Sequence, residues 1–240
     1  MIYSIKLIIE IDKNYIRDNY YNVLWSVLNI IWEDIELKKS ILSISNIYKS
    51  LDDLFHINIS INWKDNFNKI ITIIQNKKEI NLNGKIFNIK WIDFNFNIFD
   101  DNIVYNDYKK IELTFKTPTI IKKEINWVDI NQLLPVPEIF LISAIRKYNN
   151  IYDKNIDIDE MKKTIKNNVI VVSFDISTKL VKIKGNNKAW IVGKVKYEVL
   201  KELELEAKII LYNALNLAKL VWIWTGNRLW LGQVWVYFSK

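Results

Sequence analysis

The chain has 240 residues, a formal net charge of +7, no cysteine and a single histidine, His56. The lack of cysteine excludes disulfides, thiol catalysis and iron–sulfur clusters, and one histidine excludes a histidine-rich metal centre. Half of the residues are hydrophobic, which is enough to build a substantial core. No segment has the roughly 18 uninterrupted apolar residues of a membrane-spanning helix, so we expect a soluble, cytoplasmic protein.

The positive charge is concentrated in the last third of the chain. Residues 161–240 contain 14 Lys and Arg against 5 Asp and Glu, whereas residues 1–160 contain 20 against 22. Such an asymmetry is typical of a surface that binds a polyanion, most often nucleic acid. The alternative is a solvated lysine-rich surface, because lysine is heavily used throughout this chain.

The apolar pattern of the first half predicts the order β-α-β-β-α-β, which is the ferredoxin-like arrangement. The predicted elements are a strand at Ile2–Ile11, a helix from Asp18 or Asn19 to Glu36, strands at Ile41–Tyr48 and Leu54–Trp63, a helix at Asp65–Asn76 and a strand at Ile86–Phe99. The polar segment Asp100–Asp107 then marks a domain boundary.

The second half repeats this order without visible sequence identity. Its predicted elements are a strand at Ile111–Lys116, a loop up to Leu134, a helix from Pro137 to Tyr148, a short helix at Glu160–Lys166, one bent strand or two strands over Val169–Lys184, a strand at Ala189–Val199, a helix at Glu202–Val221 and a strand at Leu229–Phe238. The predicted fold is therefore α+β, with tandem ferredoxin-like domains at 1–107 and 108–240, each built on an antiparallel sheet.

Lysines recur at alternate positions of two consecutive predicted strands, Lys182 and Lys184 on the first and Lys194 and Lys196 on the second. Because side chains alternate along a strand, each pair lies on one face. Together with Lys188 in the intervening segment, they predict a basic stripe that phosphates can follow. The alternative is a sheet edge that lysine keeps soluble.

A polar turn, Thr225-Gly226-Asn227-Arg228, joins the last predicted helix to the last predicted strand. The planar fork of Arg228 suits a phosphate or a guanine edge, which makes Arg228 the best single candidate for binding nucleic acid. Tryptophans surround this turn. Those predicted to lie in the core are Trp190, Trp222 and Trp235, and the candidates for base stacking are Trp224 and Trp230.

Four segments together resemble the CRISPR repeat-processing endoribonucleases, RAMP-type proteins that cut CRISPR transcripts within each repeat. They are FKTPT (Phe115–Thr119), the proline-flanked helix PVPEIFLISAIRKYN (Pro135–Asn149), the glycine-containing strand WIVGKVKYEV (Trp190–Val199) and the closing segment LWLGQVWV (Leu229–Val236). The resemblance covers nearly the whole chain. It implies a double ferredoxin-like fold, an RNA-contacting loop at the Thr225–Arg228 turn, and cleavage without metal or cofactor that leaves a 2′,3′-cyclic phosphate.

The chain departs from this family at the catalytic histidine. Many members carry it between the first helix and the second strand, near Glu36–Ser40, where this chain has Lys38 and Lys39. The resemblance implies that these lysines stabilise charge or donate a proton, and a solvated helix terminus is the alternative. His56 is a candidate general base. An ordinary strand histidine is favoured, because His56 lies away from the expected position.

Tyr48, at a predicted hairpin turn, is a weaker catalytic candidate. Two functions remain open, because some family members bind RNA without cutting it. The first is an endoribonuclease that cuts CRISPR repeat RNA, and the second is a non-cleaving repeat-RNA-binding subunit of a CRISPR effector complex. The expected partner in both is repeat RNA, single-stranded or in a hairpin, and no membrane. Further effector subunits and a homodimer are left open.

Overall fold

The computed structural model of the chain describes residues 2–13, 41–44, 48–49, 54–62, 64–77, 79–82, 85–95, 104–119, 121–125, 128–183, 186–221 and 234–240. The described residues fall into two compact units, the first within residues 1–100 and the second within residues 101–240. The helix predicted from Asp18 or Asn19 to Glu36 lies outside the described residues.

The first unit is built on an antiparallel sheet. Its described elements are β1 (Ile2–Glu10), β2 (Ile41–Ile44), β3 (Tyr48–Lys49), β4 (Leu54–Asn62), α1 (Lys64–Asn76), β5 (Glu79–Leu82) and β6 (Lys85–Asn95). The strand order is β2-β4-β1-β6-β5, and β3 pairs with β4 beside β2. Without the extra β3 and β5, this order is the ferredoxin-like one, in which the first strand lies between the third and the fourth.

The core of the first unit comes from alternate residues of its two central strands. Ile57, Ile59 and Ile61 of β4 are fully buried, and they alternate with partly exposed positions such as His56 and Asn58. The helix α1 buries Ile70 and Ile74, which lie one turn apart on the same helical face. Burying each of these side chains contributes about 1.5–3 kcal/mol to the free energy of folding.

The second unit contains a four-stranded antiparallel sheet in the order β10-β11-β7-β12. Its described elements are β7 (Lys110–Thr119), β8 (Ile121–Ile125), β9 (Val128–Gln132), α2 (Pro137–Tyr152), α3 (Ile158–Asn168), β10 (Val169–Ile183), β11 (Asn186–Val199), α4 (Leu205–Val221) and β12 (Val234–Ser239). This order is again ferredoxin-like, so the predicted α+β fold with two tandem ferredoxin-like arrangements and antiparallel sheets is confirmed.

Local interactions determine where the helices α2 and α3 begin. The helix α2 begins with Pro137, whose missing N–H is not needed in the first helical turn. The helix α3 begins after Asp157, whose Oδ1 accepts hydrogen bonds from the backbone N–H groups of Asp159 and Glu160, each at 3.0 Å. The hydroxyl of Tyr197 on β11 donates to the carbonyl of Pro135 at 3.2 Å, which ties the entrance of α2 to the sheet.

The structure contains two elements that the sequence did not predict, and it decides between two alternatives at a third place. The predicted loop after Thr119 contains the hairpin β8–β9, whose five-residue strands are too short to show a clear alternation. The strand β5 precedes β6 as its antiparallel partner and was not predicted. Of the two alternatives for Val169–Lys184, the single strand is confirmed: Val169–Ile183 is one 15-residue strand with an irregularity between Val171 and Ser173, and it lies at the edge of the sheet.

Candidate nucleic-acid interface

The two faces of the four-stranded sheet differ in chemistry. Successive side chains of a strand point to opposite faces, and residues paired across neighbouring strands share a face. On the inner face, Leu113 of β7 pairs with Val195 of β11 and Val236 of β12, and all three are buried. This face is covered by helices: Phe140 of α2 contacts Phe115 edge-on, with ring centroids 5.6 Å apart.

The outer face carries polar and aromatic side chains in two neighbouring rows. One row runs from Lys194 through Thr114 to Trp235, and the other from Lys196 through Glu112 to Tyr237. We call the described residues Lys116, Lys194, Lys196, Trp235 and Tyr237 the basic-aromatic face. Their positions follow from the pairing register, which brings strands from distant parts of the chain side by side.

The two aromatic rings of the basic-aromatic face are open to solvent. Trp235 is 48% exposed and Tyr237 is 52% exposed. Their rings meet edge to face with centroids 6.5 Å apart, and the Lys116 ammonium lies 3.9 Å from the centre of the Trp235 ring. Exposed aromatic rings beside ammonium groups are the arrangement on which the bases of a single strand stack, because every base has a π-face.

Two of the three lysines of the basic-aromatic face form ion pairs with the same carboxylate. The ammonium groups of Lys194 and Lys196 lie 3.7 and 3.3 Å from the two carboxylate oxygens of Glu112. Both lysine side chains are more than half exposed, at 59% and 55%. Exposed ion pairs of this kind contribute at most about 1 kcal/mol, so a phosphate group competes with Glu112 for these lysines at low cost.

The prediction for Trp235 is wrong, since this residue lies on the surface and not in the core. Its neighbours Val234 and Val236 take the buried positions of β12, so Trp235 points to the other face. The prediction for Trp190 is confirmed, because Trp190 is 2% exposed. Sequence reasoning also missed Lys116 and Tyr237 as binding residues. The charge of Lys116 beside the apolar Phe115 was a usable signal, whereas Tyr237 lies in a run of apolar and aromatic residues.

Several predicted binding residues cannot be placed on this face. Lys182 and Lys188 belong to the β10–β11 ladder, where they pair with Asn187 and Val181, and only their backbone positions are described. Those outside the described residues are Lys184, Thr225, Gly226, Asn227 and Arg228, together with Trp222, Trp224 and Trp230. The described part of the predicted basic stripe therefore consists of Lys194 and Lys196.

His56 lies in the middle of the first sheet, between Ile8 of β1 and Tyr48 of β3. The register thus brings together two of the predicted catalytic residues, His56 and Tyr48, of which only the backbone position is described for Tyr48. Partial burial lowers the pKa of His56, and the positive charge of Lys6 lowers it further. His56 is therefore neutral at pH 7. The other two candidates, Lys38 and Lys39, lie outside the described residues.

No group of three or more metal-binding side chains occurs among the described residues, so no metal centre can be assigned in that part of the chain. Within the same part, no helix is long and apolar enough to cross a membrane.

No protein-family model matches the sequence, and no curated protein matches it either. Solved structures do. A Cas6 product complex superposes with a TM-score of 0.79 at 12% identity over 99% of both chains. Thermus thermophilus Cas6 superposes with a TM-score of 0.70 at 11% identity over 99% of this chain and 98% of that one. A RAMP protein described as binding different RNA substrates gives 0.58 at 13% identity over 98% and 99%. At these identities the likeness establishes a shared fold along nearly the whole chain.

Proposed function

We propose that the chain is a Cas6-type endoribonuclease that binds CRISPR repeat RNA and cuts it within the repeat without a metal. The observation that carries the proposal is the likeness in fold to a Cas6 product complex over 99% of both chains. The basic-aromatic face supports it independently, because cations next to open aromatic rings suit single-stranded RNA.

RNA binding is assigned as follows. The ammonium groups of Lys194 and Lys196 contact phosphates in place of Glu112, and Trp235 and Tyr237 stack on bases. Stacking of this kind contributes about 1–3 kcal/mol for each base. Further RNA contacts are assigned to the residues predicted from the sequence alone, which are Lys182, Lys184, Lys188, Thr225, Gly226, Asn227 and Arg228.

Cutting requires no group beyond amino-acid side chains. The 2′-hydroxyl oxygen attacks the adjacent phosphorus while a base takes its proton, and the 5′-oxygen leaves with a proton from an acid. We assign charge stabilisation and proton donation to Lys38 and Lys39, and positioning of the 2′-hydroxyl supplies a further part of the rate. His56 and Tyr48 are second candidates, since a neutral imidazole is able to accept the 2′-hydroxyl proton.

A second function, a repeat-RNA-binding subunit that does not cut, is favoured by one observation. The segment Glu36–Ser40 contains no histidine, although many proteins of the resembled family carry their catalytic histidine there. Both functions use the same binding surface, so cleavage alone separates them.

The test is to incubate the purified protein with end-labelled repeat RNA from the host's own CRISPR array in the presence of EDTA. A single cut that leaves a 2′,3′-cyclic phosphate supports the endoribonuclease, and the same RNA with one deoxynucleotide before the cut should bind without being cut. Salt-sensitive binding with no cut on either RNA supports the binding subunit. Absence of binding would contradict both functions.

A further inference from the structure

The helical layer of the second unit contains an open groove with a volume of about 1020 Å³. It is lined by the end of α2, the segment that joins α2 to α3, one side of α3, the residues just before α4, and the first half of α4. The helices cover the inner face of the sheet, so the sheet separates this groove from the basic-aromatic face. The proposed RNA-binding function makes no use of the groove.

The rim of the groove is strongly acidic. Five carboxylates and a single ammonium group line it, and these belong to Asp157, Glu160, Glu202, Glu204, Glu206 and Lys154. None of the four glutamates forms a salt bridge with another described residue. This negative charge, which has no ion-pair partner among the described residues, lies in the half of the chain that carries the positive excess.

Apolar side chains also line the groove. They include Met161 of α3 and Leu205 and Ile209 of α4, which we call the floor. Leu205 is 62% exposed and is therefore accessible to a ligand. An acidic rim over an apolar floor complements a segment that is itself amphipathic and basic.

A buried acceptor at the floor points to a ligand with hydrogen-bond donors. Asn213 lies one turn after Ile209 on the same side of α4, lines the groove, and is 6% exposed. Its Oδ1 atom accepts no hydrogen bond from any described residue. Buried acceptors in folded proteins are almost always paired, so an unpaired one at the floor of a groove indicates a missing donor.

We propose that this acidic groove binds a basic, amphipathic segment of a partner protein. Apolar side chains of the segment pack on Met161, Leu205 and Ile209. Its lysine or arginine side chains pair with the rim glutamates, and one donor reaches Asn213. Nucleic acid does not fit the groove, because the rim carboxylates repel phosphates.

The direct test uses a fluorescein-labelled peptide of leucine and lysine whose leucines lie on one helical face, with binding followed by fluorescence anisotropy. The wild-type chain should bind it in a salt-sensitive manner and should not bind a matched peptide with glutamate in place of lysine. Glu202→Lys should weaken binding about fivefold, as expected for loss and reversal of one rim charge. Glu79→Lys, the same charge change on β5, should leave the affinity unchanged.

A second variant addresses the floor. Asn213→Leu keeps the side-chain volume and removes the acceptor, so it should weaken peptide binding about tenfold while the melting temperature stays the same or rises. A purely structural role for Asn213 would instead lower the melting temperature and leave peptide affinity unchanged.

Three results would overturn the proposal. The first is no peptide binding by the folded wild-type chain, and the second is equal affinity of Glu202→Lys and Glu79→Lys. The third is a dimer of the wild-type chain in sedimentation that Glu202→Lys abolishes, since the groove would then hold a second copy. None of these results depends on whether the chain cuts RNA.

Discussion

Gly193 shows how a single residue decides the path of the strand that carries Lys194 and Lys196. Its φ angle is +124°, a region that residues with a side chain rarely adopt. A Cβ atom at this position would lie 2.0 Å from the carbonyl oxygen of Asp175, so neighbouring β10 leaves no room for one. The glycine also sits where the pairing of β11 with β7 changes register. The glycine of the WIVGKVKYEV segment is therefore required by backbone geometry.

Gly193→Ala should destabilise the second unit by about 2–4 kcal/mol, because the new methyl group meets backbone atoms and the φ angle is strained. Chemical denaturation followed by circular dichroism measures the change. Ser177→Ala on the exposed side of β10 is the control, and it should change the free energy of unfolding by less than about 0.5 kcal/mol. A Gly193→Ala protein as stable as the control would show that the strand can move away from Asp175.

The single histidine should contribute to the pH dependence of stability. Its pKa is lowered in the folded state, so the unfolded chain takes up a proton near pH 6.5 that the folded chain resists. The stability contributed by neutral His56 is present above pH 6.5 and is lost as the pH falls through the lower, folded pKa. Thermal unfolding between pH 7 and pH 5 should therefore show a steeper loss for the wild type than for His56→Gln. Parallel curves would contradict this assignment.

At the level of elements, the strong patterns were predictable and the weak ones were not. Both ferredoxin-like orders follow from periodicity, since long alternating and helical stretches distinguish strands from helices. The hairpin β8–β9 was missed because each strand has only five residues. The exposure of Trp235 was missed for another reason. In the run VWVYF of β12 every residue is apolar or aromatic, so composition does not tell the inward face from the outward one.

Tyr108 joins two elements of the second unit, the segment before β7 and the helix α4. Its side chain is 1% exposed, and its hydroxyl donates to the Lys208 carbonyl at 3.0 Å. Its ring stacks against Tyr212 and contacts Phe238, with centroids 5.9 and 4.9 Å away. Burial raises the pKa of Tyr108 well above its ordinary value, so the hydroxyl remains a donor at any physiological pH.

Tyr108→Phe should lower the free energy of unfolding by about 1 kcal/mol, because it leaves the Lys208 carbonyl without this donor and keeps the ring packing. Tyr105→Phe is a matched control, since the Tyr105 hydroxyl donates at 3.0 Å to Asp107 in an exposed pair. The control should cost clearly less, because water replaces the lost partner. Equal losses in urea denaturation would mean that burial of the Tyr108 hydroxyl does not matter.

At the level of the whole molecule, charge is divided between two surfaces of the second unit. The basic-aromatic face lies on the outer side of the sheet, and the acidic groove lies among the helices. A long polyanion should therefore bind in one orientation only, because the groove side repels it. The net charge of +7 is a sum over both surfaces. A polyanion is therefore attracted to the basic-aromatic face more strongly than the net charge suggests, and it is repelled by the acidic groove.

On this basis the two kinds of residue on the basic-aromatic face should behave differently in RNA binding. Trp235→Ala should weaken binding by about 1–3 kcal/mol and leave its salt dependence unchanged. Lys196→Ala should weaken binding less and reduce the slope of log affinity against log salt by about 0.7, the value for one phosphate contact of a single strand. Lys162→Ala on α3 is the control. Filter binding across a salt series measures all three, and an unchanged affinity for Trp235→Ala would remove stacking from the proposed function.

The central position of β7 affects the order in which the parts of the second unit fold. Phe115 of β7 pairs with Gly193 of β11 on one side and with Val234 of β12 on the other, so the sheet joins segments that are far apart in the chain. Contacts across such long loops form slowly. Trp235 and Tyr237 reach their places beside Lys194 and Lys196 only when β12 docks. During refolding, the proposed RNA binding should therefore return later than the helical signal, because the basic-aromatic face is complete only after β12 has joined the sheet.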